Sequence, residues 1–173
     1  MFKKLFGLDK KKEATPVQPQ QEMVHAPLTG KLIAIEDVPD PTFSQKMMGD
    51  GFAIEPSEGK VVAPVSGEIM QVFPTKHAIG IKTPGGAEVL LHIGLETVNM
   101  KGEGFTAHVK EGDKVKLGDA LVDFDLDLVK EKAASTITPV VITNMDDLDS
   151  VVKEPATETV AGETPLLTIK SKG

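Results

Sequence analysis

The sequence predicts an all-β fold, an antiparallel β-sandwich or barrel built from two similar halves with short helices at its periphery. Three observations predict it. Short β-branched runs are cut repeatedly by Gly, Pro and Asp, one motif occurs twice, and helix-start signals are few. A length of 173 residues suits one domain with a core that needs no staples, and the chain has no cysteine.

Residues 1–12, MFKKLFGLDKKK, form a lysine-rich head on a chain whose net charge is −7. Phe2, Leu5 and Phe6 share one face at i, i+3 and i+4, which fits a weak interfacial membrane helix and equally a solvated tail. Residues 13–22, EATPVQPQQE, have no apolar period and read as a flexible linker. The domain then runs over 23–173. Its strand candidates are KLIAIEDV, KVVAPV, EIMQVF, AIGIKT, AEVLLHIG, DALVDFD, TPVVITN and PLLTIK. Asp40 before Pro41, and Asp125 before LDLVKEKA, are helix caps. The segment from Ala26 to Leu32, APLTGKL, recurs from Ala63 to Ile69 as APVSGEI, each a turn leading into an apolar strand.

Composition excludes several function classes. All 19 basic residues are lysines and there is no Trp or Tyr, so guanidinium forks and base-stacking platforms are missing and nucleic acid is not an expected partner. No apolar run is long enough to span a bilayer and no secretory leader is evident, which predicts a cytoplasmic protein whose head touches the inner face of the membrane.

Chemistry near neutral pH falls to His25, His77, His92 and His108. His25 and His108 stand alone and read as structural or surface residues. His77 and His92 flank two strand candidates joined around Pro84-Gly85-Gly86, a hairpin. A two- or four-residue loop would put both on one face; a three-residue loop would put them on opposite faces, and spacing leaves both open.

The segment Gly86-Ala87-Glu88-Val89-Leu90-Leu91-His92-Ile93-Gly94-Leu95-Glu96-Thr97-Val98 closely resembles the phosphohistidine signature of the glucose-family enzyme IIA proteins of the phosphoenolpyruvate-dependent sugar phosphotransferase system. The resemblance continues through Val38-Pro39-Asp40, Gly49-Asp50-Gly51, Val62-Ala63-Pro64-Val65, Thr75-Lys76-His77, Lys101-Gly102-Glu103-Gly104-Phe105 and Thr138-Pro139-Val140-Val141. It implies a duplicated hybrid-motif β fold over residues 23–173 and a transiently phosphorylated carrier. His92 would accept a phosphoryl group from the carrier HPr and pass it to a cysteine of the IIB domain of a sugar permease. By the same resemblance His77 stabilises the phosphoryl group, Thr75 orients His77, and Gly94 allows close backbone approach. No cofactor is required.

Docking without water calls for an apolar collar with an acidic rim. Phe43, Met47, Met48, Phe73 and Leu90 are candidates for the collar, although each methionine also suits a core, and Asp40 and Glu96 match rim positions of the family. His77 and His92 would hold zinc only with a partner's carboxylate. The lysine-rich start favours a free-standing carrier over a piece of a permease. Three rivals remain: a LytM-type zinc peptidase, which lacks its His-x-His and His-x-x-x-Asp spacings here; a biotin or lipoyl carrier, for which Lys114 lacks the setting; and a regulatory protein whose unphosphorylated form binds permeases or metabolic enzymes.

Overall fold

The structure, a computed structural model, describes residues 21–172. The head and residues 13–20 of the linker lie outside the described residues. Gln21 and Glu22, read from sequence as the linker's end, already belong to the first strand. In order the elements are β1 (Gln21–His25), β2 (Gly30–Ala34), α1 (Pro41–Ser44), β3 (Asp50–Pro56), β4 (Lys60–Val62), β5 (Gly67–Val72), β6 (Ala78–Lys82), β7 (Glu88–His92), β8 (Phe105–Ala107), β9 (Lys114–Val115), β10 (Ala120–Phe124), α2 (Leu126–Lys132), β11 (Thr138–Ile142), β12 (Leu148–Lys153), β13 (Glu158–Thr159) and β14 (Pro165–Ser171). Short 3-10 turns cover Ile35–Asp37, Thr97–Met100 and Met145–Asp147.

Among the described residues every strand pairing is antiparallel. An eight-stranded sheet runs β9-β5-β6-β7-β11-β3-β2-β13, with two three-stranded sheets, β4-β10-β8 and β12-β14-β1. All eight runs read as strands contain one. KLIAIEDV stops early at Ala34, where the chain turns into the first 3-10 segment. Both predicted caps form: Asp40 accepts from Thr42 N–H at 3.0 Å and Asp125 from Leu128 N–H at 3.1 Å.

The sequence repeat is a structural duplication, carried by matched hydrogen bonds. Ala26 N–H donates to the Thr164 carbonyl and its own carbonyl accepts from Gly162, each at 2.8 Å. Ala63 does the same with Asp119 at 2.8 Å and Gly118 at 2.9 Å. The hydroxyl oxygens of Thr29 and Ser66, at matching positions of the repeat, accept from Ala161 and Leu117 N–H, both at 3.0 Å. The two turns also bond to each other, Val62 N–H to the Pro27 carbonyl at 2.9 Å and His25 N–H to the Pro64 carbonyl at 2.7 Å.

Alternation along β6, β7 and β11 divides the apolar side chains between two cores. Ile79, Ile81, Val89, Leu91, Val140 and Ile142 enter the main core, while Leu90 and Val141 face the other way into a smaller cluster with Ile35, Val38, Phe43, Ala53 and Leu95. That smaller cluster is roofed by α1, a single turn held by its Asp40 cap and by burial of Phe43. His92 ends β7 on the Leu90 row, at the edge of this cluster.

Candidate functional site: two facing histidines

His92 reaches the site from a regular strand and His77 from a turn. β6 pairs with β7 in the register Ala78 to His92 and Lys82 to Glu88, and Thr83 N–H to the Ala87 carbonyl closes a three-residue loop, Pro84-Gly85-Gly86. By strand parity that loop length separates the histidines onto opposite faces. The rings nevertheless meet, with centroids 4.9 Å apart and planes at 80°. The His77 carbonyl still accepts from Ile93 N–H at 2.7 Å in the same register, so His77 is the last residue of the ladder, and the turn that precedes it holds Lys76 at φ 63°.

Each ring is tied down by Nδ1. His92 Nδ1–H donates to the Gly94 carbonyl at 2.7 Å, and His77 Nδ1 is hydrogen-bonded to the Thr75 hydroxyl. Neither Nε2 has a hydrogen-bond partner among the described residues, and the one buried side-chain nitrogen left unpaired among them is Nδ1 of His25. His77 is buried, at 4% exposure, and His92 is half-buried. Phe43 lies against His92, centroids 5.2 Å apart, and Phe73 edge-on to His77 at 5.7 Å.

This apolar setting keeps both rings neutral. Burial first, and then the neighbouring charge of a protonated His92, push His77 down to about 4. Burial also lowers His92, partly opposed by its bond to Gly94 and by the Asp40 carboxylate. Between pH 6.5 and about 4 the unfolded chain binds a proton at residue 77 that the folded chain does not, so stability is lost as pH falls through that window. The expected loss from this one ring is at most about 3 kcal/mol. His77→Gln should flatten the fall between neutral and acid denaturation midpoints; an unchanged fall would assign acid lability to other groups.

Gly94 has φ +73°, and a Cβ there would lie 2.9 Å from the Ser135 carbonyl oxygen and 2.6 Å from Thr97 Cγ2. Gly94 N–H donates to the Thr138 hydroxyl at 3.3 Å, and Leu95 N–H to the Ser135 carbonyl at 2.9 Å, so the peptide whose carbonyl receives His92 is held on both sides. Gly94→Ala is expected to destabilise the fold by about 2–3 kcal/mol, through strain and collision with backbone. A change in urea unfolding below about 0.5 kcal/mol would contradict this.

The proposed collar divides by exposure. Met47 and Met48 are 70% and 41% exposed and Glu96 is exposed, whereas Phe73, Leu90 and Asp40 are half-buried. Phe43 is 4% exposed, which corrects its reading as a docking residue: it packs beneath His92 as part of the smaller core. Sequence reasoning missed Val98, 51% exposed on the 3-10 turn after Gly94, and the supports Ser135 and Thr138. The quoted motif Thr138-Pro139-Val140-Val141 was the available signal for Thr138. His25 and His108 stand apart; His108 pairs with Asp123 at 3.0 Å.

Among the described residues no third His, Cys, Asp or Glu joins the pair to make a metal cluster, and no helix is long and apolar enough to cross a membrane. Residues 22–148 match the family model described as phosphoenolpyruvate-dependent sugar phosphotransferase system, EIIA 1. A protein of Halalkalibacterium halodurans named PTS system glucose-specific EIIA component is 75% identical over 173 residues, 100% of both chains. A Bacillus cereus protein of the same name is 55% identical over 172 residues, 99% of this chain and 100% of that one. The solved glucose permease IIA from Mycoplasma capricolum matches with a TM-score of 0.78 at 37% identity, covering 89% of this chain and 99% of the other. The chain belongs to the EIIA 1 family of the phosphoenolpyruvate-dependent sugar phosphotransferase system, whose members are phosphocarriers of sugar uptake.

Proposed function

We propose that His92 is the phosphoryl acceptor of this carrier, charged by phospho-HPr and discharged to a cysteine of the IIB domain of a sugar permease. The observation that carries the proposal is the pair of facing rings, each fixed through Nδ1 and with no partner at Nε2 among the described residues. With its proton on Nδ1 and donated to Gly94, His92 presents a lone pair at Nε2. In-line attack forms the Nε2–P bond as the bond from phosphorus to the HPr histidine breaks. In the second step the cysteine thiolate attacks phosphorus and the Nε2–P bond breaks.

His77 takes the opposite tautomer when the Thr75 hydroxyl donates to Nδ1, leaving Nε2–H to donate to phosphoryl oxygens. A phosphorylated imidazole is a good leaving group, whereas a serine ester would trap the phosphoryl group. No nucleotide or magnesium motif is present in the sequence, and in-line transfer between histidines requires neither. Met47, Met48, Phe73, Leu90 and Val98 supply apolar surface for partners, and Asp40 and Glu96 supply charge for a basic HPr.

Phosphorylation adds close to two negative charges beside this surface, so a regulatory partner lacking basic residues would bind the resting form and be expelled from the phosphorylated one. In the resting form the two imidazoles offer zinc half of a tetrahedral set, to be completed by a partner carboxylate. The work place is the cytoplasm, with weak membrane contact through residues 1–12. Incubation with phosphoenolpyruvate, enzyme I and HPr, followed by mapping of acid-labile phosphate, tests the central step. One group per chain on His92 is expected, and label elsewhere would overturn the proposal.

A further inference from the structure

By the alternation of β6, His77 belongs to the row of Ile79 and Ile81, which face the main core. His92 belongs to the other row, so a continuous ladder would place the sheet between the two rings. The ladder persists as far as the His77 carbonyl, which accepts from Ile93 N–H at 2.7 Å, and the chain departs from it on the N-terminal side of that residue. The hairpin joining β5 to β6 closes with Phe73 N–H on the Ala78 carbonyl at 3.0 Å, and inside it Lys76 N–H bonds the Phe73 carbonyl at 2.7 Å. Lys76 itself has φ 63°, in the left-handed region. A left-handed residue inside a tight loop turns the chain sharply and redirects the side chain that follows, and glycine is its usual occupant.

We propose that Lys76 is a positioning residue for phosphoryl transfer, its left-handed backbone rather than its charge turning His77 onto His92. The proposal rests on the carrier reading above. Its support is local: the Lys76 ammonium has no ion-pair partner among the described residues, so no contact of that charge holds the bend. Gly102 lies beside the same bend, where a Cβ would be 3.6 Å from the Thr75 carbonyl oxygen. Thr75, the hydrogen-bond partner of His77, lies in the same turn.

The test compares four substitutions in the full chain. Lys76→Gly and Lys76→Asn discard the charge and accept the left-handed region; Lys76→Val is β-branched and resists it; Lys76→Ala is a milder form of the same obstacle. Nitrogen NMR of the His77 ring reads whether Nδ1 keeps its Thr75 bond, and quenched-flow assays read acceptance at His92 and onward transfer to IIB. Gly and Asn should keep the wild-type ring shifts and an onward rate within about twofold, while Val slows onward transfer by about tenfold or more and shifts the His77 nitrogens. Ala should fall between, which keeps the test alive if the Val protein folds poorly. Equal slowing in Gly, Asn and Val would assign the role to the lysine side chain and overturn the proposal, as would unchanged His77 shifts in Val and Ala. The ring shifts need no phosphoryl donor, so a wild-type chain that took no phosphate would sink the carrier reading and leave this geometric test standing.

Discussion

A His92→Gln protein is expected to take up no acid-labile phosphate from phosphoenolpyruvate, enzyme I and HPr, while unfolding within about 0.5 kcal/mol of the wild type. The carboxamide can still donate to the Gly94 carbonyl, so the hydrogen bond that anchors the end of β7 has a substitute. What it lacks is a nucleophilic nitrogen lone pair, and no gradation of rate survives that loss. The two distant histidines do not offer a detour. Nδ1 of His25 is buried and unpaired, and His108 is exposed and engaged with Asp123, next to a strand of a different sheet. Stoichiometric label on His92→Gln would therefore refute both the assignment and the geometric reasoning behind it.

Most of the fold was legible because it is written in short-range signals. The alternating rows of β6 and β7, the Asp40 and Asp125 caps, and the APLTG and APVSG turns each depend on neighbours in sequence. Less legible were β1, β3, β8, β9, β12 and β13, of which β9 and β13 are two-residue edge strands whose pairing partners are remote in sequence. Part of β3, around Gly51, lacks side-chain pattern because a Cβ at Gly51 would meet the Val140 carbonyl at 1.9 Å. At the site, the motif around His92 identified the pair, but hairpin spacing alone could not. Loop length resolved to the case that separates the rings by parity, yet the rings meet, and the left-handed backbone at Lys76 that we propose as the cause has no signature in the sequence. Exposure was the other hidden quantity. Phe43 and Met47 lie four residues apart, yet one is buried beneath His92 and the other is 70% exposed, because α1 ends at Ser44 and the helical period that would stack them does not continue.

His77→Gln should separate the two transfers. Acceptance on His92 needs the lone pair at Nε2, which the Gly94 bond supplies whether or not residue 77 is an imidazole. The phosphoryl group then sits beside Phe73 and Phe43, in a setting dry enough to push His77 down to about 4, where an unmatched developing charge is costly. The Nε2–H of His77, aimed by Thr75, is the donor placed to meet that charge as the bond to His92 breaks. Glutamine keeps an N–H but not its direction, since the flexible amide has no ring to be fixed by the Thr75 hydroxyl. Onward transfer to IIB should therefore slow by about 100- to 1,000-fold, the range seen when one aligned donor is removed from a transition state. Labelling by phospho-HPr should still reach one group per chain. Thr75→Val tests the same alignment from behind: with the ring present but unanchored, the onward rate should fall by a smaller factor of about ten. Rapid-quench measurements of both half-reactions decide the matter, and equal onward rates in wild type, His77→Gln and Thr75→Val would remove His77 from the chemistry.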